Sequence, residues 1–157
     1  MRSLLVLLFA CVALFHPQPA LAQDAQWFGA WRLNTEKSTS APGPLPYTRG
    51  TWVIESSGAD VKMVYDLVGM RGGVTHMEWT GRLDGKPYRL QGPDTIVDYA
   101  YTKVDDRTLD LVVSLDGVPA VRGRVTLSPD GQSITATTSS RNARGEAVTT
   151  ASVYERR

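Results

Sequence analysis

The stretch LDLVVSLDGV, Leu109 to Val118, carries the pattern that decides the fold. Leu109, Leu111, Val113 and Leu115 fall at every second position, so one face of an extended strand is apolar. An Asp-Gly pair follows at once, and it is a strong hairpin signal because glycine tolerates a positive φ. The stretch therefore predicts a strand, a tight turn and an antiparallel partner strand.

The same pattern repeats on both sides of this hairpin. Short alternating runs are separated by Gly, Asp, Ser and Pro, and helical periodicity is almost absent, which favours strands joined by tight turns. One long connection is predicted at 34–46, because Pro42, Pro44 and Pro46 block sheet pairing. The predicted strands cover 29–33, 47–55, 61–68, 74–83, 88–91, 95–104, 109–115, 118–127, 133–138 and 147–155.

This order predicts an all-β fold, an antiparallel up-and-down meander of about 8–10 strands that closes into a barrel. Closure is favoured because it removes the unpaired edges of the sheet. Several strands mix polar and apolar residues on both faces. Such mixed faces fit a partly hydrated barrel interior, and they fit a thin sandwich almost as well.

Two short segments carry a resemblance to a known family. FGAWRL at 28–33 contains Gly29 and Trp31 as a Gly-x-Trp motif, and VYER at 153–156 ends the last predicted strand. Both segments resemble the calycins, the group of lipocalins and fatty-acid-binding proteins, whose Gly-x-Trp tryptophan closes the barrel floor. The opening, with the later Lys37-Ser38 pair, is also similar to secreted bacterial proteins. The resemblance implies a calycin-like barrel with structural roles for Gly29 and Trp31.

The resemblance also implies a ligand site inside the barrel. The carboxylate-binding arginine of the fatty-acid-binding ending falls at Ser152, whereas its tyrosine is kept as Tyr154, and both would then point inward. Arg122 or Arg124 is the best replacement for that arginine, unless their face is the outer one, where they are ordinary solvated charges. The remaining candidate ligand contacts are Tyr99 and Tyr101, which share one strand face. The proline-rich connection departs from the helix-pair lid of that branch.

Signatures of catalysis and of metal binding are absent from the sequence. His76 and Glu78 share a strand face and could form an acid–base pair, although solvated neighbours are the favoured interpretation. Asp66, Glu78 and Asp98 lie on different strands, which favours surface carboxylates. The sequence after residue 22 contains one histidine and no cysteine. This scarcity of ligands argues against a dedicated zinc or copper site. We therefore expect a protein that is not an enzyme and needs no cofactor.

The first 22 residues predict a secretory signal peptide. Arg2 precedes an apolar run, and Ala20-Leu21-Ala22 gives the small-x-small cleavage pattern. Cleavage after Ala22 leaves 23–157 as a single β-barrel domain of 135 residues without cysteine. The alternative is lipoprotein processing before Cys11, which would then be acylated. Either route predicts a secreted or periplasmic protein of the bacterial envelope.

The charge balance bears on the partners of this domain. Without Arg2 the basic and acidic residues are equal in number, which argues against nucleic acid or an anionic membrane as a partner. No stable membrane insertion is expected after cleavage. The leading hypothesis is a secreted lipocalin-like protein that binds a small, mostly apolar ligand inside the barrel. The alternative is an envelope-associated structural or protein-interaction module without a small ligand.

Overall fold

A computed structural model describes residues 24–157, and the predicted signal peptide lies outside these residues. Across 24–157 the chain forms one 3₁₀ turn (Ala25–Trp27) and ten strands. Each strand pairs antiparallel with its neighbours in sequence, and β1 pairs with β10, so the sheet closes into a barrel. The predicted all-β meander is confirmed. The strands are β1 (Gly29–Ala41), β2 (Tyr47–Ser57), β3 (Asp60–Gly69), β4 (Val74–Gly81), β5 (Tyr88–Gln91), β6 (Val97–Asp105), β7 (Thr108–Leu115), β8 (Val118–Leu127), β9 (Ser133–Arg141) and β10 (Ala147–Arg156).

The first strand is longer than the sequence predicts. Pairing with β10 shifts between Asn34 and Thr39 and then resumes. The Asn34 side chain accepts hydrogen bonds from the amides of Glu36 and Lys37, and Ser38 Oγ donates to the Asn34 carbonyl at 2.6 Å. These side-chain bonds hold an irregular segment inside one strand. The predicted connection at 34–46 is therefore wrong for its first part, and only 42–46 link β1 to β2.

The barrel has two different ends. The end where β1 begins, the closed end, is filled by large buried side chains that include Trp27, Trp31, Ile54, Leu109 and Ile134. Lys103 binds Asp24 there at 2.7 Å and so holds the residues before β1 against the barrel. The opposite end, the open end, carries the links 42–46, 70–73, 92–96, 116–117 and 142–146. No helix among residues 24–157 has the length and apolarity needed to cross a bilayer.

Gly29 and Trp31 lie in the part of β1 that is at the closed end of the barrel. Trp31 is fully buried, pairs across the sheet with Arg156 of β10, and donates its indole N–H to the Trp27 carbonyl at 3.0 Å. Arg156 donates three side-chain hydrogen bonds to the carbonyls of Gln26, Phe28 and Gly131. A single guanidinium thus links the residues before β1 to β10 and to the turn before β9 at the closed end. A β-carbon at Gly29 would lie 2.7 Å from Arg156 Nη1. This close approach explains why a glycine stands two residues before Trp31.

Candidate functional site

A cavity of about 310 Å³ lies inside the half of the barrel that faces the open end. Its position follows from which residue of each strand lines it. Trp52 of β2 lines the cavity and Ile54 does not, and Leu111 of β7 lines it whereas Leu109 does not. Ile54 and Leu109 lie two residues nearer the closed end on their strands, and both belong to the buried core. The barrel is therefore packed solid at one end and hollow at the other.

The aromatic residues that line the cavity, which we call the aromatic wall, are five tyrosines and one tryptophan from β2, β3, β6 and β10. Trp52 stacks on its cross-strand partner Tyr65 at 5.3 Å between ring centroids, and Tyr154 meets Trp52 edge-on at 5.6 Å. The hydroxyls of Tyr65 and Tyr101 are 2.8 Å apart and share a hydrogen bond. Ring pairs at these distances and angles are favourable aromatic contacts. The aromatic wall is Tyr47, Trp52, Tyr65, Tyr99, Tyr101 and Tyr154.

Four short hydroxyl side chains form a second group, the hydroxyl wall, on the adjacent strands β9 and β10. Thr138 pairs directly with Thr150, and Ser152 pairs with Ala136 in the same ladder. Ser140 completes the group nearer the open end. These side chains are small and can both donate and accept hydrogen bonds. The hydroxyl wall therefore leaves space and offers adaptable polar contacts to whatever fills the cavity.

The tyrosine hydroxyls of the aromatic wall stay protonated at neutral pH. Burial, with a smaller contribution from the neighbouring Tyr47, raises the pKa of Tyr99 to about 12. Burial is also the main cause that raises the pKa values of Tyr65, Tyr101 and Tyr154 well above the ordinary value of 10.0. A neutral phenol can donate a hydrogen bond as well as accept one. The aromatic wall is thus uncharged and rich in donors.

The four tryptophans of the chain differ at their indole N–H groups. Trp27 donates to the Asp106 carbonyl at 3.0 Å, Trp31 to the Trp27 carbonyl at 3.0 Å, and Trp79 to the Tyr99 carbonyl at 3.2 Å. The buried N–H of Trp52 has no partner among the described residues. An unpaired buried donor costs about 1–3 kcal/mol. The exception is the tryptophan that lines the cavity.

Four of the six predicted ligand contacts line the cavity. Tyr154 and Ser152 line the cavity from β10, on the face that the resemblance to the fatty-acid-binding ending implies, and Tyr99 and Tyr101 line it from β6. Tyr47, Trp52, Tyr65 and two threonines also line the cavity and are not among the residues predicted from the sequence. Strand alternation could have found Trp52 and Tyr65, because both occupy the same faces as core residues of their strands.

Arg122 and Arg124 do not lie inside the barrel, so their assignment to an interior head-group site is wrong. Both side chains are exposed on the outer face of β8, and Arg124 binds Asp110 of β7 at 2.8 Å. Val121 and Val125 take the inward positions and line the cavity. The physical reason is the cost of burying a guanidinium without a carboxylate partner. Neither arginine replaces the one that is missing at Ser152.

The polar cluster around His76 also lies outside the barrel. His76 Nδ1 is 2.7 Å from Asp66, and its Nε2 is 3.3 Å from Glu78, which binds Lys62 at 3.0 Å. These hydrogen bonds, that to Asp66 above all, raise the pKa of His76 above 6.5. The side chain is more than half exposed. Within 24–157, no group of three or more histidine, cysteine and carboxylate residues is arranged to hold a metal ion.

Exposed apolar side chains lie along one part of the open end, near the mouth of the cavity. Six large apolar side chains are exposed among the described residues, and five of them belong to three neighbouring hairpins at this end. The amide of Asp116 donates to the Ile96 carbonyl at 2.9 Å and so joins two of these hairpins. We call the five residues the apolar rim: Met70, Val74, Ile96, Leu115 and Val118.

No family model matches the chain, and no curated protein matches it. One similar solved structure is described as EF1p2_mFAP2b bound to DFHBI. It is 12% identical in sequence, with a TM-score of 0.47, over 88% of this chain and all of that chain.

Proposed function

We propose that the protein is a secreted, lipocalin-like protein that holds a small, mostly apolar ligand inside its barrel. The observation that carries this proposal is the cavity of about 310 Å³ between the aromatic wall and the hydroxyl wall. Small-molecule sites are typically concave, largely apolar and supplied with a few convergent polar groups. The apolar rim supports entry of such a ligand, because it favours contact with apolar molecules at the mouth.

We propose that the cavity binds a ligand and does not catalyse a reaction. The cavity-lining side chains among residues 24–157 include no histidine, carboxylate, lysine or cysteine. A serine or threonine hydroxyl becomes a strong nucleophile only when an adjacent general base activates it, and those groups are the usual bases. The tyrosines and hydroxyls that are present can orient a ligand by hydrogen bonding. The proposal therefore assigns them a recognition role.

Titration with N-phenyl-1-naphthylamine, a neutral probe that fluoresces in apolar surroundings, tests the proposed function. We expect fluorescence to rise and to saturate at about one probe per chain. Ala136→Trp fills the cavity from β9 and should abolish the signal. Ala100→Trp adds the same bulk on the outer face of β6 and should leave it unchanged. Equal probe binding by both variants would reject the cavity as the site.

The envelope location is tested separately. Full-length protein expressed in a Gram-negative host should appear in the periplasm and begin at Gln23, as the cleavage pattern predicts. An acylated N-terminal Cys11 would instead support lipoprotein processing. Protein that stays in the cytoplasm with Met1 intact would reject secretion.

A protein-interaction module remains the second candidate, and the apolar rim is the observation that favours it. Five exposed apolar side chains at one end of a domain are the kind of surface that marks contact sites. Co-purification from periplasmic extract distinguishes the two. A stoichiometric protein that is lost when Val118→Ser and Leu115→Ser are introduced favours the module, whereas an extracted small molecule favours the carrier.

A further inference from the structure

We infer that a ligand enters and leaves the cavity sideways, through a lateral portal between β8 and β9 that opens when these two strands separate at the open end. This inference rests on the proposed function, because it describes the route to the same cavity. It depends on where the β8–β9 ladder ends, on why it ends there, and on two side chains that border both the cavity and the outer surface.

The ladder between β8 and β9 stops before either strand does. Its last paired residues towards the open end are Arg122 and Ser139. Yet β8 begins at Val118, and β9 continues to Arg141. Both extensions stay paired on their other sides, with β7 and β10 respectively. Within the part of the chain that the structure describes, the barrel wall therefore has a seam without paired residues, which we call the portal seam.

The sequence of β8 explains why the pairing ends there. Pro119 has no N–H to donate to a neighbouring strand. The register with β7 places Pro119 opposite Ser114 and Val121 opposite Val113, so Ala120 is an extra residue that forms a β-bulge. A bulge bends its strand and disrupts the local ladder. The strand β8 is thus shaped to part from β9 at this point.

Two side chains connect the portal seam with the cavity. Val121 and Ser140 occupy the next positions of β8 and β9 beyond the last pair. Each of them borders the cavity and also an outer groove that follows the seam. Both side chains are small and partly exposed. A single layer of small side chains therefore separates the cavity from the outer surface at this place.

An interruption elsewhere in the barrel shows how a seam is closed. The β4–β5 ladder also ends inside a strand, at Glu78 of β4. There Gly92 takes the place of a ladder partner. A β-carbon at Gly92 would collide with the carbonyl of His76, so the backbone at this glycine lies directly against β4. At the portal seam an outer groove stands where such packing would be, which makes this seam the easier one to open.

The β7–β8 hairpin is anchored on the side away from the portal seam. The amide of Asp116 at its tip donates to the Ile96 carbonyl at 2.9 Å. The tip also carries Leu115 and Val118 of the apolar rim, so an apolar molecule held at the rim lies beside the seam. We therefore expect opening to separate the hairpin from β9 and to keep the bond between Asp116 and Ile96.

A cross-link across the portal seam tests the route. Cys11→Ser first removes the one cysteine of the chain. Val121→Cys and Ser140→Cys are then introduced together and tied by oxidation or by a short bismaleimide. N-phenyl-1-naphthylamine is added either before or after the link is made. Linked first, the protein should take up the probe about tenfold more slowly or worse; linked second, it should retain the bound probe on dilution to the same degree.

A matched link at the open end serves as the control. Val68 and Val74 are already paired in the β3–β4 ladder, so Val68→Cys with Val74→Cys ties two strands that do not part. This link should leave uptake and release of the probe unchanged. The order of addition separates a closed portal from a damaged cavity. A closed portal excludes the probe in one order and traps it in the other, whereas a damaged cavity loses the probe in both.

Two alanine variants give a readout that needs no link. Val121→Ala shortens a side chain at the portal seam. Val113→Ala makes the same change in its cross-strand partner on β7, which lines the cavity but not the outer groove. Stopped-flow fluorescence measures uptake and release of the probe. We expect both rates to rise severalfold in Val121→Ala and to change little in Val113→Ala.

The outcomes separate the portal from the proposed function. If linked and unlinked proteins exchange the probe at the same rates, the portal is overturned, and the cavity keeps its proposed function with the mouth as the route. A link that lowers binding in both orders leaves the decision to the alanine variants, whose equal rates would overturn the portal. If the parent protein does not bind the probe, the proposed function falls, and the inference falls with it.

Discussion

The guanidinium carbon of Arg156 lies 4.1 Å from the centroid of the Trp31 ring. The contact joins the first strand to the last at the closed end, where the cation rests on the indole face. The guanidinium also donates to three backbone carbonyls, so ring and cation hold one another in place. This pair helps to close the end of the barrel opposite the cavity.

Removal of the Trp31 ring should severely destabilise the fold. Trp31→Ala leaves a large hole in a fully buried site and removes the surface on which Arg156 rests. We expect a loss of about 3–5 kcal/mol in the free energy of unfolding, measured by denaturant titration. Trp31→Phe, which keeps an aromatic face, should lose less. An unchanged unfolding midpoint in the alanine variant would contradict the assigned role.

A β-carbon at Gly29 should be costly for two reasons. The residue has φ +139°, where side chains are strained, and the new atom would meet Arg156 Nη1. We expect Gly29→Ala to cost about 1–3 kcal/mol. Gly117→Ala is the matched control, since its φ is +78° but nothing lies within 4 Å of the added atom; it should cost only about 1 kcal/mol. Equal thermal shifts in the two variants would argue against the clash.

The Tyr154 hydroxyl should contribute to ligand binding and not to folding. Tyr154→Phe keeps the ring that meets Trp52 edge-on but removes a donor from the cavity. We expect the affinity for 2-acetonaphthone to fall by about 0.5–1.5 kcal/mol, with an unchanged unfolding midpoint. Tyr88→Phe removes a hydroxyl outside the cavity and should leave the affinity as it is. Equal affinities in parent and Tyr154→Phe would exclude Tyr154 as a contact.

His76 should titrate above its ordinary pKa of 6.5, because Asp66 and then Glu78 bind its ring nitrogens. The folded-state pKa is the higher one, so the contribution to stability is fully present below pH 6.5 and is lost as the pH rises through the folded-state pKa. Titration of the His76 ring resonances by NMR measures this value. Asp66→Asn should lower it. A titration midpoint that does not move in that variant would contradict the assigned cause.

The sequence predicts most of the fold because alternation and turn residues are local signals. It does not predict the length of β1. Pro42 and Pro44 correctly indicate a break, but the strand continues to Ala41 because Ser38 accepts a hydrogen bond from the Val153 amide of β10 at 2.9 Å. That bond depends on a partner more than a hundred residues away in sequence. Local patterns carry no information about such pairing.

The candidate site is predictable only in part, because period-two alternation separates two faces without saying which is inside. On β10 the side chain of Tyr154 determines which face is inside, because a large aromatic ring gains more from burial than Val153 does. On β8 the arginines could be placed only by weighing charge burial, and the structure places them outside. The stack of Trp52 on Tyr65 depends on the register between β2 and β3, which neither strand encodes alone.

The first and last described residues lie at the same end of the barrel. The Arg157 amide donates to the Ala30 carbonyl at 2.9 Å, and Lys103 holds Asp24 beside them. The mouth of the cavity lies at the other end. A protein immobilised through either of these residues, on a sensor chip or an affinity resin, therefore presents its opening to the solution. Labels or fusions placed there lie at the closed end and do not obstruct the cavity, so an affinity measured with the captured protein should equal that of the free molecule.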